Sequence, residues 1–244
     1  MNAAMKGKLI AALLVLGLFI TLVPRSHAVI ISPIHLNMSV KEPIISFTVT
    51  NDSADLITYQ INTLSWQQID GKDAYNETTE LIVSPPIVSI EPNSTQTFRV
   101  GLFKESSHLV EQAYRVVLDD ITTYLPHNSK NSLKFIFNHN LPLFYAPVKR
   151  VDSVVWSTCK SAVKGTSCLL VENKGNRHVK LVNFIAVSAT QEKPLRNAKT
   201  VLAGSTSKLF YPTMQGGIET TTSIKVSSGK GPIVLVLADL PHTN

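Results

Sequence analysis

From Val29 onward the apolar positions fall in short runs rich in Val, Ile, Thr and Phe, separated by turn clusters about every 8 to 15 residues. Helical spacing is nowhere sustained for a dozen residues, so the pattern predicts an all-β chain. Candidate strands cover 44–50, 56–66, 95–103, 113–121 and 133–137, each followed by turn chemistry such as Asn51-Asp52-Ser53 or Asp70-Gly71. The stretch Pro142-Leu143-Phe144-Tyr145-Ala146-Pro147 closes this set. A second set follows at 151–156, 168–172, 179–187, 221–226 and 233–237, and its turn Asn173-Lys174-Gly175-Asn176 echoes Thr50-Asn51-Asp52-Ser53. Two β-sandwiches joined near Pro147 account for this most economically, with a single large barrel as the alternative.

The N-terminus follows a different pattern. Lys6 and Lys8 precede an apolar-rich run over 9–23 that ends near Ser26-His27-Ala28. The run is short for a bilayer core of about 30 Å, and Ala28 suits a cleavage site, so 1–28 is expected to be a secretory signal peptide. An uncleaved membrane anchor is the alternative. Cleavage would remove Lys6, Lys8 and Arg25 and halve the formal charge of +6. No Lys/Arg cluster is interleaved with aromatics, which argues against nucleic acid as a partner. Only 16% of residues are charged, against about 25% in ordinary soluble domains, and the apolar content excludes a disordered chain. Export permits a disulfide between the only cysteines, Cys159 and Cys168, whereas a metal site would need further ligands close by.

No enzyme constellation emerges. The sequence lacks a Gly-x-Ser-x-Gly elbow, a His-Glu-x-x-His pair and a phosphate-cradling glycine loop, and no cofactor is implied. The histidines after residue 28 are scattered singly. Asp119 and Asp120 are neighbours in a candidate strand and therefore point to opposite faces. Sequons at Asn37, Asn51, Asn76 and Asn93 read as chance in a Ser/Thr/Asn-rich β protein.

One segment stands out. In Leu133-Lys134-Phe135-Ile136-Phe137 the large residues Leu133, Phe135 and Phe137 share a face, and Leu141 and Leu143 continue that parity. An ordinary core strand is one reading. The other is a strand lent to a partner, since proteins normally suppress exposed apolar strands. The surrounding motifs bear on the choice. They are Leu81-Ile82-Val83-Ser84-Pro85-Pro86, Glu91-Pro92, Gln96-Thr97-Phe98-Arg99, Ser32-Pro33, Trp66-x-Gln68, Tyr114-Arg115, Leu141-Pro142-Leu143-Phe144-Tyr145-Ala146-Pro147 and Asn173-x-Gly175-Asn176. Together they resemble the periplasmic pilus-assembly chaperones of the chaperone–usher pathway, and the archaic (sigma) branch more than the P-pilus branch.

The resemblance implies two immunoglobulin-like β-sandwich domains in a boomerang arrangement, at 29–147 and 148–244. It also implies a non-enzymatic periplasmic protein that folds and caps pilus subunits by donor-strand complementation and hands them to an outer-membrane usher. The donor strand would be Leu133, Phe135, Ile136, Phe137 and Leu141. His35 and Pro142 stand where the better-known branch has its carboxylate-gripping arginine and lysine, so the anchor is expected elsewhere: Arg115 first, then His35 and Arg99. Asp120 resembles the acidic member of an interdomain salt bridge whose arginine is here Ala146. Asn93 replaces a turn glycine, and Ser84-Pro85-Pro86 suits a cis peptide. A two-domain pilus subunit or tip adhesin is the alternative function.

Overall fold

The computed structural model describes residues 29–103, 109–122, 136–162, 165–195, 198–212 and 221–243. The segment 1–28, with the expected cleavage site, lies outside the described residues, as do Leu133 and Phe135. Among the described residues no helix is long and apolar enough to cross a membrane.

The first half of the chain contributes β1 (Val29–Ser32), β2 (Leu36–Met38), β3 (Ile44–Asn51), β4 (Ile57–Ile69), β5 (Lys72–Glu77), β6 (Leu81–Ser84), β7 (Ile87–Ile90), β8 (Ser94–Leu102), β9 (Gln112–Asp120) and β10 (His139–Tyr145). One sheet has the order β1-β3-β8-β6, and the facing sheet runs β2-β10-β9-β4-β5, with β7 also on β4. Alternation sets the core, because Tyr114, Val116 and Leu118 of β9 point inward while Ala113, Arg115 and Val117 point out. Phe47 and Phe98 stack across the first sheet with ring centroids 5.0 Å apart.

The second half contributes β11 (Val154–Cys159), β12 (Thr166–Asn173), β13 (Val179–Val187), β14 (Glu192–Leu195), β15 (Lys199–Val201), β16 (Thr206–Pro212), β17 (Ser223–Ser228), β18 (Gly231–Val236) and β19 (His242–Thr243). These form a β16-β12-β11-β19 sheet and a β14-β13-β17-β18 sheet, with β15 also on β13. A separate core of Leu169, Val171, Leu181, Phe184, Ile224 and Val226 lies between them. The all-β, two-sandwich expectation is met. Cys159 and Cys168 face each other across β11 and β12 and form the disulfide.

The sequence echo has a physical basis. The buried Asn51 amide donates to the carbonyls of Asp55 (2.8 Å) and Ile90 (2.9 Å), while its Oδ1 accepts from the Ser53 N–H. Asn173 repeats this, donating to Arg177, Val201 and Leu202 carbonyls and accepting from the Gly175 N–H. Each asparagine thus closes its turn and satisfies carbonyls of a distant segment.

Three differences from the sequence reading have structural causes. Strand β11 begins at Val154 rather than at 151, because the backbone of 151–153 is already bonded to the Asn173–Asn176 turn: Lys174 and Gly175 donate to the Ser153 carbonyl and Asn176 to that of Val151. A Cβ on Gly175 would lie 2.5 Å from that Val151 oxygen, which explains the glycine. Strand β5 lacks a clear apolar run, and that of β16 is confined to Leu209-Phe210-Tyr211, so both escape pattern reading. Residues 136–138 form no ladder: pairing with β9 begins only at His139, opposite Leu118, two residues short of the β9 end at Asp120, whose Oδ1 accepts the Thr122 N–H at 2.9 Å. Ser32–Pro33 and Ser84–Pro85 are both cis, and Asn93 has φ 57°, as its turn-glycine position requires.

Candidate functional site

The outer face of the β2-β10-β9-β4-β5 sheet carries the site. Pro142 pairs with Arg115, and Arg115 with Leu64, while the parallel Leu143–Leu36 register brings His35 alongside Pro142. A single row across the sheet therefore runs His35, Pro142, Arg115, Leu64. Relative to the expected arginine and lysine positions, the permanent charge has moved one strand further along the row.

Arg115 is held in an aromatic seat. Its guanidinium carbon lies 3.8 Å from the Trp66 ring centroid and 5.7 Å from that of Tyr75. Such cation–π contacts are worth about 0.5 to 2 kcal/mol. Asp73 organises the seat by accepting from Trp66 Nε1 (3.0 Å), Gln68 Nε2 (2.8 Å) and the Tyr75 hydroxyl (3.3 Å). Burial works to raise the Asp73 pKa, but these hydrogen bonds and the Arg115 charge hold it below the usual carboxylate value. Arg115 Nε is buried with no hydrogen-bond partner. The guanidinium lines a cavity of about 420 Å³ shared with Lys72, Lys199 and Thr200, so the cavity lies between the two halves and is cationic on balance.

His35 faces the second half, where Lys180 Nζ approaches its Nε2 at 3.3 Å. Burial, followed by the charges of Lys180, His178 and Arg115, pushes the imidazole below its ordinary value. Arg99 does not join this group, because it lies exposed on β8 of the opposite sheet between Ser46 and Ser84.

The segment ahead of β10 divides in two. Leu141 is buried in the first core, whereas Ile136 and Phe137 are 48% and 66% exposed. Leu133 and Phe135, the other two expected anchors, lie outside the described residues.

The junction between the halves is built from polar groups that spacing alone did not reveal. Gln68 donates to the Thr200 carbonyl and accepts from the Leu202 N–H, both at 2.9 Å. Glu111 accepts from the His178 backbone N–H (2.8 Å) and lies 2.7 Å from His178 Nδ1. The His178 ring stacks on Phe144 at 3.7 Å, and Phe144, Trp66 and Leu202 form a small apolar cluster. Glu111–His178 thus bridges the halves, while Asp120 does not: the β9–β10 register places it at the far end of β9 from Ala146, where it is engaged locally by Thr122. The Asn176 amide donates to Leu109 and Lys149 carbonyls and fixes the connection. The Trp66-x-Gln68 and Asn173-x-Gly175-Asn176 motifs were visible in the sequence. Their partners across the junction were not, since pairing between domains leaves no local periodicity.

Comparison with known proteins is consistent with this architecture. A search of curated proteins found no match. Solved structures with the same fold include a chain of the CsuC–CsuE chaperone–tip adhesion subunit pre-assembly complex from the archaic chaperone–usher Csu pili of Acinetobacter baumannii. It aligns with TM-score 0.64 and 20% identity over 89% of this chain and 100% of that one. The Pseudomonas aeruginosa CupB2 chaperone aligns with TM-score 0.58 and 15% identity over 85% and 100%. The Salmonella enterica SafA pilin–SafB chaperone complex gives 0.58 and 14% over 88% and 99%. The family profile described as pili and flagellar-assembly chaperone, PapD N-terminal domain, matches residues 28–150, half of the chain. The chain therefore belongs to the pili and flagellar-assembly chaperone family.

Proposed function

We propose that this chain is a periplasmic, non-enzymatic chaperone that caps pilus subunits by lending them the segment from Leu133 to Leu141 and delivers them to an outer-membrane usher. In this reading residues 1–28 direct export, 29–147 form the domain carrying the donor segment, and 148–244 form the second domain. The observation that carries the reading is the exposure of Ile136 and Phe137 immediately ahead of β10. A subunit lacking a strand would supply main-chain partners for that segment and pockets for Leu133, Phe135 and Phe137. Each large apolar side chain so buried contributes about 1.5 to 3 kcal/mol.

Arg115 is assigned the subunit's terminal carboxylate, since its planar cation lines the cavity between the halves. His35, in the same row, is assigned a supporting place, and Arg99, on the other sheet, none. The test is the double substitution Phe135→Asp and Phe137→Asp. Co-expressed subunit should vanish from the periplasm while the variant keeps the circular dichroism and melting temperature of the parent. Undiminished subunit recovery would overturn the assignment.

A further inference from the structure

Beside the Arg115 cavity lies a groove that the reading above does not use. Asp70 and Gly71 form the two-residue turn between β4 and β5, with φ 51° and 74°, the left-handed pair that an Asp-Gly hairpin turn adopts. A Cβ on Gly71 would lie 3.1 Å from the Thr206 carbonyl oxygen, so the turn sits directly against β16. Between turn and sheet opens a groove of about 830 Å³ that shares Gln68, Gly71, Lys72 and Lys199 with the Arg115 cavity.

Its lining has a clear chemical bias. Lys72 from β5, Lys199 from β15 and Lys208 from β16 face a single carboxylate, Asp70. Among the described residues none of these three lysines forms an ion pair. By contrast, Lys174, Lys225 and Lys230 each meet a carboxylate, at Glu172, Glu192 and Asp152. The groove also offers apolar surface. Phe210 is 47% exposed, and with Leu170 and Lys208 it lies on the outer face of the sheet, opposite the buried Leu209. Three unpaired cations around an exposed aromatic ring complement an extended segment bearing both carboxylates and apolar side chains.

We propose that this groove receives an acidic, extended segment of the bound subunit, continuous with the Arg115 cavity, and that it selects which subunits are served. The identity of the partner rests on the chaperone reading above, whereas the preference for acidic peptide does not.

The probe is a fluorescein-labelled peptide of alternating Glu and Leu with an amidated C-terminus, compared with its Lys-for-Glu counterpart by anisotropy at low and high salt. The full-length protein should bind the acidic peptide only, and more weakly at high salt. The triple variant Lys72→Gln, Lys199→Gln, Lys208→Gln should weaken binding at least tenfold. A control triple at Lys41, Lys160 and Lys193 should not. Absence of binding, or equal binding by the parent and the first triple variant, would overturn the proposal. So would a first triple variant that loses adhesion to phosphatidylglycerol vesicles while its peptide binding stays intact. If the peptide result holds but Phe135→Asp/Phe137→Asp leaves subunit recovery normal, the groove stands and the donor-strand reading alone fails.

Discussion

Arg115 sits over the indole of Trp66, its guanidinium carbon 3.8 Å from the ring centroid. This contact restrains the cation while the neighbouring cavity leaves it approachable from the second half of the molecule. A preorganised planar donor loses little side-chain freedom when it meets a carboxylate, which is where arginine differs from lysine.

Replacing Arg115 therefore has a graded outcome. Arg115→Ala should weaken subunit binding about 10- to 100-fold, as expected for a charge-assisted hydrogen bond of about 1.5 to 3 kcal/mol. Arg115→Lys should fall between, keeping the charge but losing the fork. Titration calorimetry with a purified subunit measures both, and equal affinity for all three proteins would remove Arg115 from the anchor role.

The two buried asparagines should be among the most sensitive polar positions. Asn51→Ala or Asn173→Ala strands several buried carbonyls at once and should cost about 3 kcal/mol or more. Asn51→Ala should lower the first domain's unfolding transition and Asn173→Ala the second's. Calorimetric scans of both variants check this, and a loss under about 1 kcal/mol would contradict the account.

Acidification should destabilise the fold between about pH 7 and pH 5. Burial pushes His139 below its ordinary value despite the opposing charge of Asp120, and His35 is pushed down as well. A histidine whose folded-state pKa is depressed binds fewer protons folded than unfolded, so its contribution is complete above the unfolded value of about 6.5 and is lost as the pH falls below it. Denaturant midpoints at pH 5 and 7 should therefore differ, and His139→Gln should flatten the difference. An unchanged slope in that variant would exclude His139 as a source.

The fold was legible in the sequence where alternation was strong. Strand β13 occupies the predicted 179–187, and β3, β8 and β9 lie within one residue of expectation at each end. Strand β5, with the sequence Lys72-Asp-Ala-Tyr-Asn-Glu77, is mostly polar because it is a solvent-facing edge, so its pairing with β4 is specified by the Asp70-Gly71 turn rather than by pattern. The site was half legible. Arg115 and His35 could be singled out by comparison with a known arrangement, but Glu111, His178, Lys180 and Lys199 acquire roles only once the two halves meet. Leu141 shows the limit of parity, since it shares the phase of Phe137 yet is buried in its own domain's core.

The central claim is that the segment ahead of β10 becomes a strand of the partner. Hydrogen–deuterium exchange of the chaperone alone and with purified subunit tests it directly. Strand pairing predicts that amides of residues 133–138 slow at least 100-fold in the complex, together with matching protection along one groove of the subunit. Protection confined to the Arg115 cavity and the junction, with 133–138 unchanged, would contradict the account.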